Sequence, residues 1–216
     1  MTPEFARAVD PIIVYVVNLL DRIGENEEPD PQEEHTRIRS LLDRAEGALT
    51  GTHREGWPLA KYALTTWTDE LLIAAPWEGR SWWTNNALEF AVFRTNIAFT
   101  EYYNKAREAA ELTKKNALEV FYVCVVLGFR GLYGDESAET IAEEAGMPPT
   151  LEGWAKKCAM VIQLGQGVPR VSEMPRPGTG APPLEGQFMA LGAMVLGVFL
   201  AALVAVLVIS YVNFAG

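Results

Sequence analysis

An all-α protein, one helical domain followed by a single membrane span, is what three features of the sequence predict. Apolar side chains recur at helical spacing through most of the first 164 residues, with no alternating run bounded by hairpin turns. Every charged side chain lies at or before Glu185, although the 216-residue chain carries a net charge of −10. Residues 188–209 are 22 consecutive positions without a charge or strongly polar group. A helix of that length is about 33 Å long, against a bilayer hydrocarbon core of about 30 Å.

The elements follow in order. Thr2 and Pro3 start a first helix that runs to about Ile23. The acidic loop 24–30 leads to Asp30, an N-cap, with Pro31 at the first helical position; Ile38, Leu41, Leu42, Ala45 and Leu49 form the buried stripe. A third helix, Pro58 to before Pro76, turns Ala60, Ala63, Leu64, Trp67, Leu71 and Ala75 to one side. After a Trp-rich turn, helices are predicted over 81–93, 96–112 and 116–127. The last is apolar nearly all round and is expected at the centre. Two shorter helices, 137–145 and 151–164, complete about seven to eight in the domain 1–164.

Residues 165–186 hold five prolines and five glycines and read as an extended tether; 187–212 is the transmembrane helix and 213–216 a short tail across the membrane. Arg170 and Arg176 precede the span and nothing basic follows it, which places the domain in the cytoplasm and predicts tail-anchored insertion. Ala193, Gly197, Ala201 and Ala205 stack on one face of the span, a surface suited to another protein's span or to a second copy in a homodimer.

Composition excludes several function classes. The acidic balance and the lack of a Lys/Arg stripe argue against nucleic acid. Two cysteines and two histidines, without ligand spacing, leave little room for a metal site or a disulfide framework. His35 and His53 fall in polar, exposed stretches, and Cys124 and Cys158 read as buried thiols. Asp69 and Glu70 are adjacent acids, but at 100° per residue their side chains diverge around a helix and do not share one substrate atom. Gly128, Gly131 and Gly134 follow a helix rather than a strand, unlike a phosphate loop. No catalytic, cofactor or metal residue is therefore assigned. The competing reading is a membrane-tethered enzyme or regulator with an acidic cleft around Asp69 and Glu70.

Two runs carry a family resemblance. Ala60 to Trp77 reads AKYALTTWTDELLIAAPW, followed by Trp82 and Trp83, and Leu118 to Gly134 reads LEVFYVCVVLGFRGLYG. Their order and separation, with a C-terminal span, resemble the DotU/IcmH/TssL family of type VI and type IVB secretion systems. The stretch RTNIAFTEYY, 94–103, departs from the family's G-G-E-x-F-F pattern, keeping aromatics and Glu101 but no glycine pair.

The resemblance implies a hook-like cytoplasmic domain of two small bundles on the bacterial inner membrane. It implies an IcmF/TssM-like membrane partner and baseplate proteins as further partners, and a structural, non-enzymatic role. By resemblance, Tyr62, Leu127, Gly128, Phe129, Gly131 and Tyr133 are fold determinants. Asp69, Glu70, Trp77 and Arg130 are candidate partner-binding residues; for the two acids, internal ion pairing with Arg130 stands beside a surface role.

Overall fold

The computed structural model describes residues 1–166, all within the compact unit Met1–Pro169. The readings that fall on 167–216 lie outside the described residues. These are most of the tether, the span with Ala193, Gly197, Ala201 and Ala205, and the tail.

Among the described residues there are nine α-helices, two 3₁₀ turns and no strand. They are α1 (Pro3–Gly24), α2 (Pro31–Ala48), a 3₁₀ turn (Gly51–His53), α3 (Trp57–Ala74), α4 (Arg80–Asn85), α5 (Leu88–Phe93), α6 (Ala98–Glu111), α7 (Asn116–Val126), a second 3₁₀ turn (Gly131–Gly134), α8 (Ala138–Glu144) and α9 (Leu151–Gln166).

Helix α1 buries Phe5, Val9, Ile12, Val16, Leu19 and Ile23, a spacing of three and four that makes one continuous stripe. That stripe packs on α2, whose start is fixed by Asp30: its Oδ1 accepts the N–H groups of Gln32 and Glu33, both at 2.9 Å. Glu34 of α2 is buried, and it receives the Tyr15 hydroxyl and, at 3.2 Å, Arg22 Nη1 from α1.

Helix α3 is buried along the whole run Tyr62 to Asp69, so it faces neighbours on every side. It pairs most extensively with α7, and also with α4, α5 and α6. Helix α7 in turn packs on α6 and α9. Two groups of helices thus meet at α3 and α7 and share one hydrophobic core containing Trp57, Trp67, Trp83, Tyr102 and Phe121. Full burial of each such side chain contributes about 2 kcal/mol. The stretch Asn116–Gly134 is long and apolar enough to cross a membrane, but α7 within it is this central core helix, buried at Ala117, Leu118, Val120, Phe121, Cys124 and Val125.

One predicted element is corrected. The segment 81–93 is two helices, not one, broken at Asn86 and Ala87. The cause lies on α3: Asp69 takes the first N–H groups of α5, those of Leu88 and Glu89, and so starts a new helix there. Apolar spacing along 81–93 carries no trace of an acceptor that comes from a distant helix.

Candidate functional site

The adjacent acids of α3 point to different neighbours, and each carboxylate holds a pair of backbone N–H groups. Asp69 is only 6% exposed. Its Oδ1 accepts from Trp83 Nε1 and from Leu88 N–H, both at 2.8 Å, and its Oδ2 from Glu89 N–H at 2.7 Å. No cation stands beside it in these bonds. Burial, opposed by the three donors, pushes its pKa up to about 6.

Glu89, placed by that contact, repeats the device one step along the chain. Its Oε1 receives the Tyr62 hydroxyl at 3.1 Å, the Thr95 hydroxyl at 2.9 Å and Ile97 N–H at 3.1 Å, while Oε2 receives Ala98 N–H at 3.3 Å. A carboxylate of α3 therefore positions α5, and a carboxylate of α5 positions the start of α6.

Glu70 serves the glycine-rich turn. Helix α7 ends in a Schellman arrangement: Phe129 N–H bonds Cys124 C=O at 3.0 Å and Gly128 N–H bonds Val125 C=O at 3.1 Å. Gly128 has φ +116° and Gly131 φ +50°, so both positions favour glycine. A Cβ on Gly131 would sit 2.9 Å from the Phe129 ring. Glu70 then takes the N–H groups of Arg130 and Gly131, at 2.6 and 2.9 Å. Burial raises its pKa, and the two N–H groups and the Arg130 charge oppose that rise.

Aromatic residues complete the clamp. Phe129 stacks on Tyr102 at 3.7 Å between ring centres, and the Tyr103 hydroxyl donates to Arg130 C=O at 2.6 Å. Tyr133 donates to Pro148 C=O at 2.6 Å and meets the Tyr103 ring edge-on at 4.9 Å. Tyr102 and Tyr103 belong to the divergent stretch 94–103, so that stretch keeps its packing duty. Within the same stretch Ile97 and Phe99 are exposed, as is Phe90 on the preceding helix.

The sequence-predicted site residues divide accordingly. Tyr62, Leu127, Gly128, Phe129, Gly131 and Tyr133 lie along α3 and the turn, where Leu127 C=O faces Trp67 Nε1 at 3.5 Å. Asp69 and Trp77 offer no surface, which corrects their candidacy as partner contacts. Trp77 is 6% exposed, its indole N–H bonds Leu72 C=O at 2.8 Å, and its ring lies over Gly79, where a Cβ would overlap it. The expected ion pair with Arg130 is replaced by hydrogen bonds from the backbone N–H groups of Arg130 and Gly131. The Arg130 guanidinium is exposed and, among the described residues, donates to Val125 and Phe129 C=O at 3.5 Å. His35 is also not in an open stretch: its ring meets the edges of Trp82 and Trp83 at 5.6 and 5.5 Å, and burial lowers its pKa. Spacing does not single out Glu89, because its partners are two hydroxyls and two backbone N–H groups on three separate segments, Tyr62 of α3, Thr95 and Ile97 of the loop and Ala98 at the start of α6.

A family model described as "Type VI secretion system protein DotU" matches residues 4–214. The chain belongs to this family. The match runs well past Gly134, where the quoted motifs stop, and takes in the apolar run 188–209. Among solved structures, the cytoplasmic domain of TssL from Acinetobacter baumannii is similar at 22% identity and a TM-score of 0.54, covering 71% of this chain and 96% of that one. That likeness shows the helical fold. None of the curated proteins compared with the chain matches it. In this DotU-family chain, then, the first quoted motif supplies the carboxylates that hold α5 and the glycine turn of the second, while Glu89, outside both, holds the start of α6.

Proposed function

We propose that this protein is a structural component of a type VI secretion apparatus at the bacterial inner membrane, working by docking rather than by turnover. Residues 187–212 span the membrane, 165–186 tether, the first two of them closing α9, and the helical domain lies in the cytoplasm, where it meets baseplate proteins and an IcmF/TssM-like membrane protein. The observation that carries this reading is a family match continuing to residue 214, through the 22 residues 188–209 that carry neither a charged nor a strongly polar side chain. The clamps support it too: Asp69 and Glu70 spend their oxygens on separate backbone segments rather than converging on a common point.

The test is fractionation followed by partner capture. The full chain is expected in the carbonate-resistant membrane fraction, and a chain ending at Gly186 in the soluble fraction. Gentle detergent extraction of the full chain is expected to bring down an IcmF/TssM-like protein. A full chain released by carbonate would refute the span, and extraction without such a partner would refute the assembly role.

A further inference from the structure

A cavity lies between α6, α7, α9 and the Gly146–Pro148 segment; it shares Tyr103 and Pro148 with the aromatic clamp, and the rest of its lining takes no part in the clamps or the glycine turn. Its volume is about 90 Å³, and its wall is apolar, with Ala106, Leu118, Met147, Trp154, Cys158 and Val161. Small-molecule sites run to roughly 300–1,000 Å³, and an apolar cavity of about 150 Å³ takes one benzene. This one has room for a single aliphatic side chain.

Two cations complete the lining, Arg107 of α6 and Lys157 of α9, both exposed. Arg107 Nη2 donates to Asn104 Oδ1 at 2.7 Å, and the neighbouring Lys156 is taken by Glu152 at 2.7 Å. Among the described residues neither Arg107 nor Lys157 has a carboxylate within 4.0 Å, although α6, α8 and α9 carry exposed acids such as Glu108, Glu144 and Glu152. In a chain of net charge −10, two cations without a carboxylate partner among the described residues thus flank an apolar hole. Along α9 the face that carries Lys157 runs on outward as apolar surface: Val161 and Leu164 follow at spacings of four and three, and Leu164 is 81% exposed.

We propose that this cavity is a docking socket for an acidic peptide segment of a protein partner. One leucine, isoleucine or methionine side chain fills it. Carboxylates flanking that residue pair with Arg107 and Lys157, and the partner's chain covers Val161 and Leu164. The socket's size favours a peptide over a lipid, because an acyl tail has more carbons than the cavity holds, whereas a peptide places one side chain inside and the rest on the surface. The site is remote in its residues from the membrane reading and stands or falls separately from it.

The test uses the full chain in neutral-detergent micelles and a probe peptide, acetyl-Glu-Glu-photoleucine-Glu-Glu-amide, with labelled residues mapped by mass spectrometry. Labelling is expected on Trp154, Cys158 or Val161. It should fall at least tenfold when Arg107→Glu and Lys157→Glu are combined, and similarly with Ala110→Leu, which narrows the cavity. Arg37→Glu on α2 should leave it unchanged. Both charge-reversed positions are exposed, so they report even if the Ala110 variant fails to fold. Labelling that ignores the charge reversal, or that falls mainly on Phe90, Ile97 and Phe99, overturns the proposal. So does displacement of the probe by decanoate but not by the same peptide carrying leucine, which would assign the socket to a lipid-like anion.

Discussion

Replacing Asp69 by alanine removes the acceptor of three buried donors: the Trp83 indole and the amides of Leu88 and Glu89. A buried donor left without a partner costs about 1–3 kcal/mol, so three cost about 6 kcal/mol together. The carboxylate itself is held at a penalty, since a pKa raised from 3.8 to about 6 corresponds to about 3 kcal/mol at neutral pH. Alanine relieves that part, and the net loss is about 3 kcal/mol at pH 7. An acid whose folded pKa lies above its unfolded value binds its proton more tightly when folded. Its contribution is therefore complete below about pH 3.8 and is lost as pH rises through about 6. Wild type should accordingly gain up to about 3 kcal/mol over the Asp69→Ala variant as pH falls from 7 to 4. Urea unfolding of the full chain in neutral detergent, followed by tryptophan fluorescence, reads both quantities. Hydrogen exchange should show faster amides at Leu88 and Glu89, and then at Ile97, which Glu89 holds. A loss below about 1 kcal/mol at pH 7, or a difference that does not change with pH, would refute the clamp as described.

Four other variants separate strain, hydrogen bonding and surface. Gly131→Ala should cost about 1–3 kcal/mol, because φ is +50° and the new Cβ meets the Phe129 ring. Gly47→Ala, on α2 with nothing within 4 Å, should instead raise stability by about 0.5–1 kcal/mol, both read as shifts in the urea midpoint. Tyr103→Phe, which loses only the bond to Arg130 C=O, should cost about 1 kcal/mol with the circular dichroism spectrum unchanged. Arg130→Ala should stay within about 0.5 kcal/mol of wild type, and a large loss would mean that its guanidinium braces the turn.

The helices were legible because their signals are local. Pro3, Asp30 with Pro31, and the apolar spacing of α1, α2 and α6 each act within a few residues, and those elements fall where the sequence puts them. The break between α4 and α5 was not legible, because its cause, Asp69, lies nearly twenty residues upstream on another helix. The glycines of the turn could be read as a helix end, but not that Glu70 grips the two amides beyond them. The burial of Trp77 was hidden for a similar reason: Gly79 supplies the room, and a glycine in a Trp-rich loop gives no hint of what lies over it.

The two clamps also change what a loss of function at the acidic pair would mean. Asp69 and Glu70 mark the family resemblance, and a variant at either would be expected to abolish assembly whether or not a partner ever touches it. Removing Asp69 loosens α5 and the start of α6, where Phe90, Ile97 and Phe99 are exposed. Removing Glu70 loosens the turn that carries Arg130. Either change therefore disturbs a surface from beneath, and assembly assays alone cannot tell a lost contact from a displaced one. Arg130, whose side chain is exposed while its backbone is held from both sides by Glu70 and Tyr103, separates the two. A variant there that keeps wild-type stability but loses partner capture would mark this turn as a docking surface, and one that keeps both would leave the turn a purely internal joint.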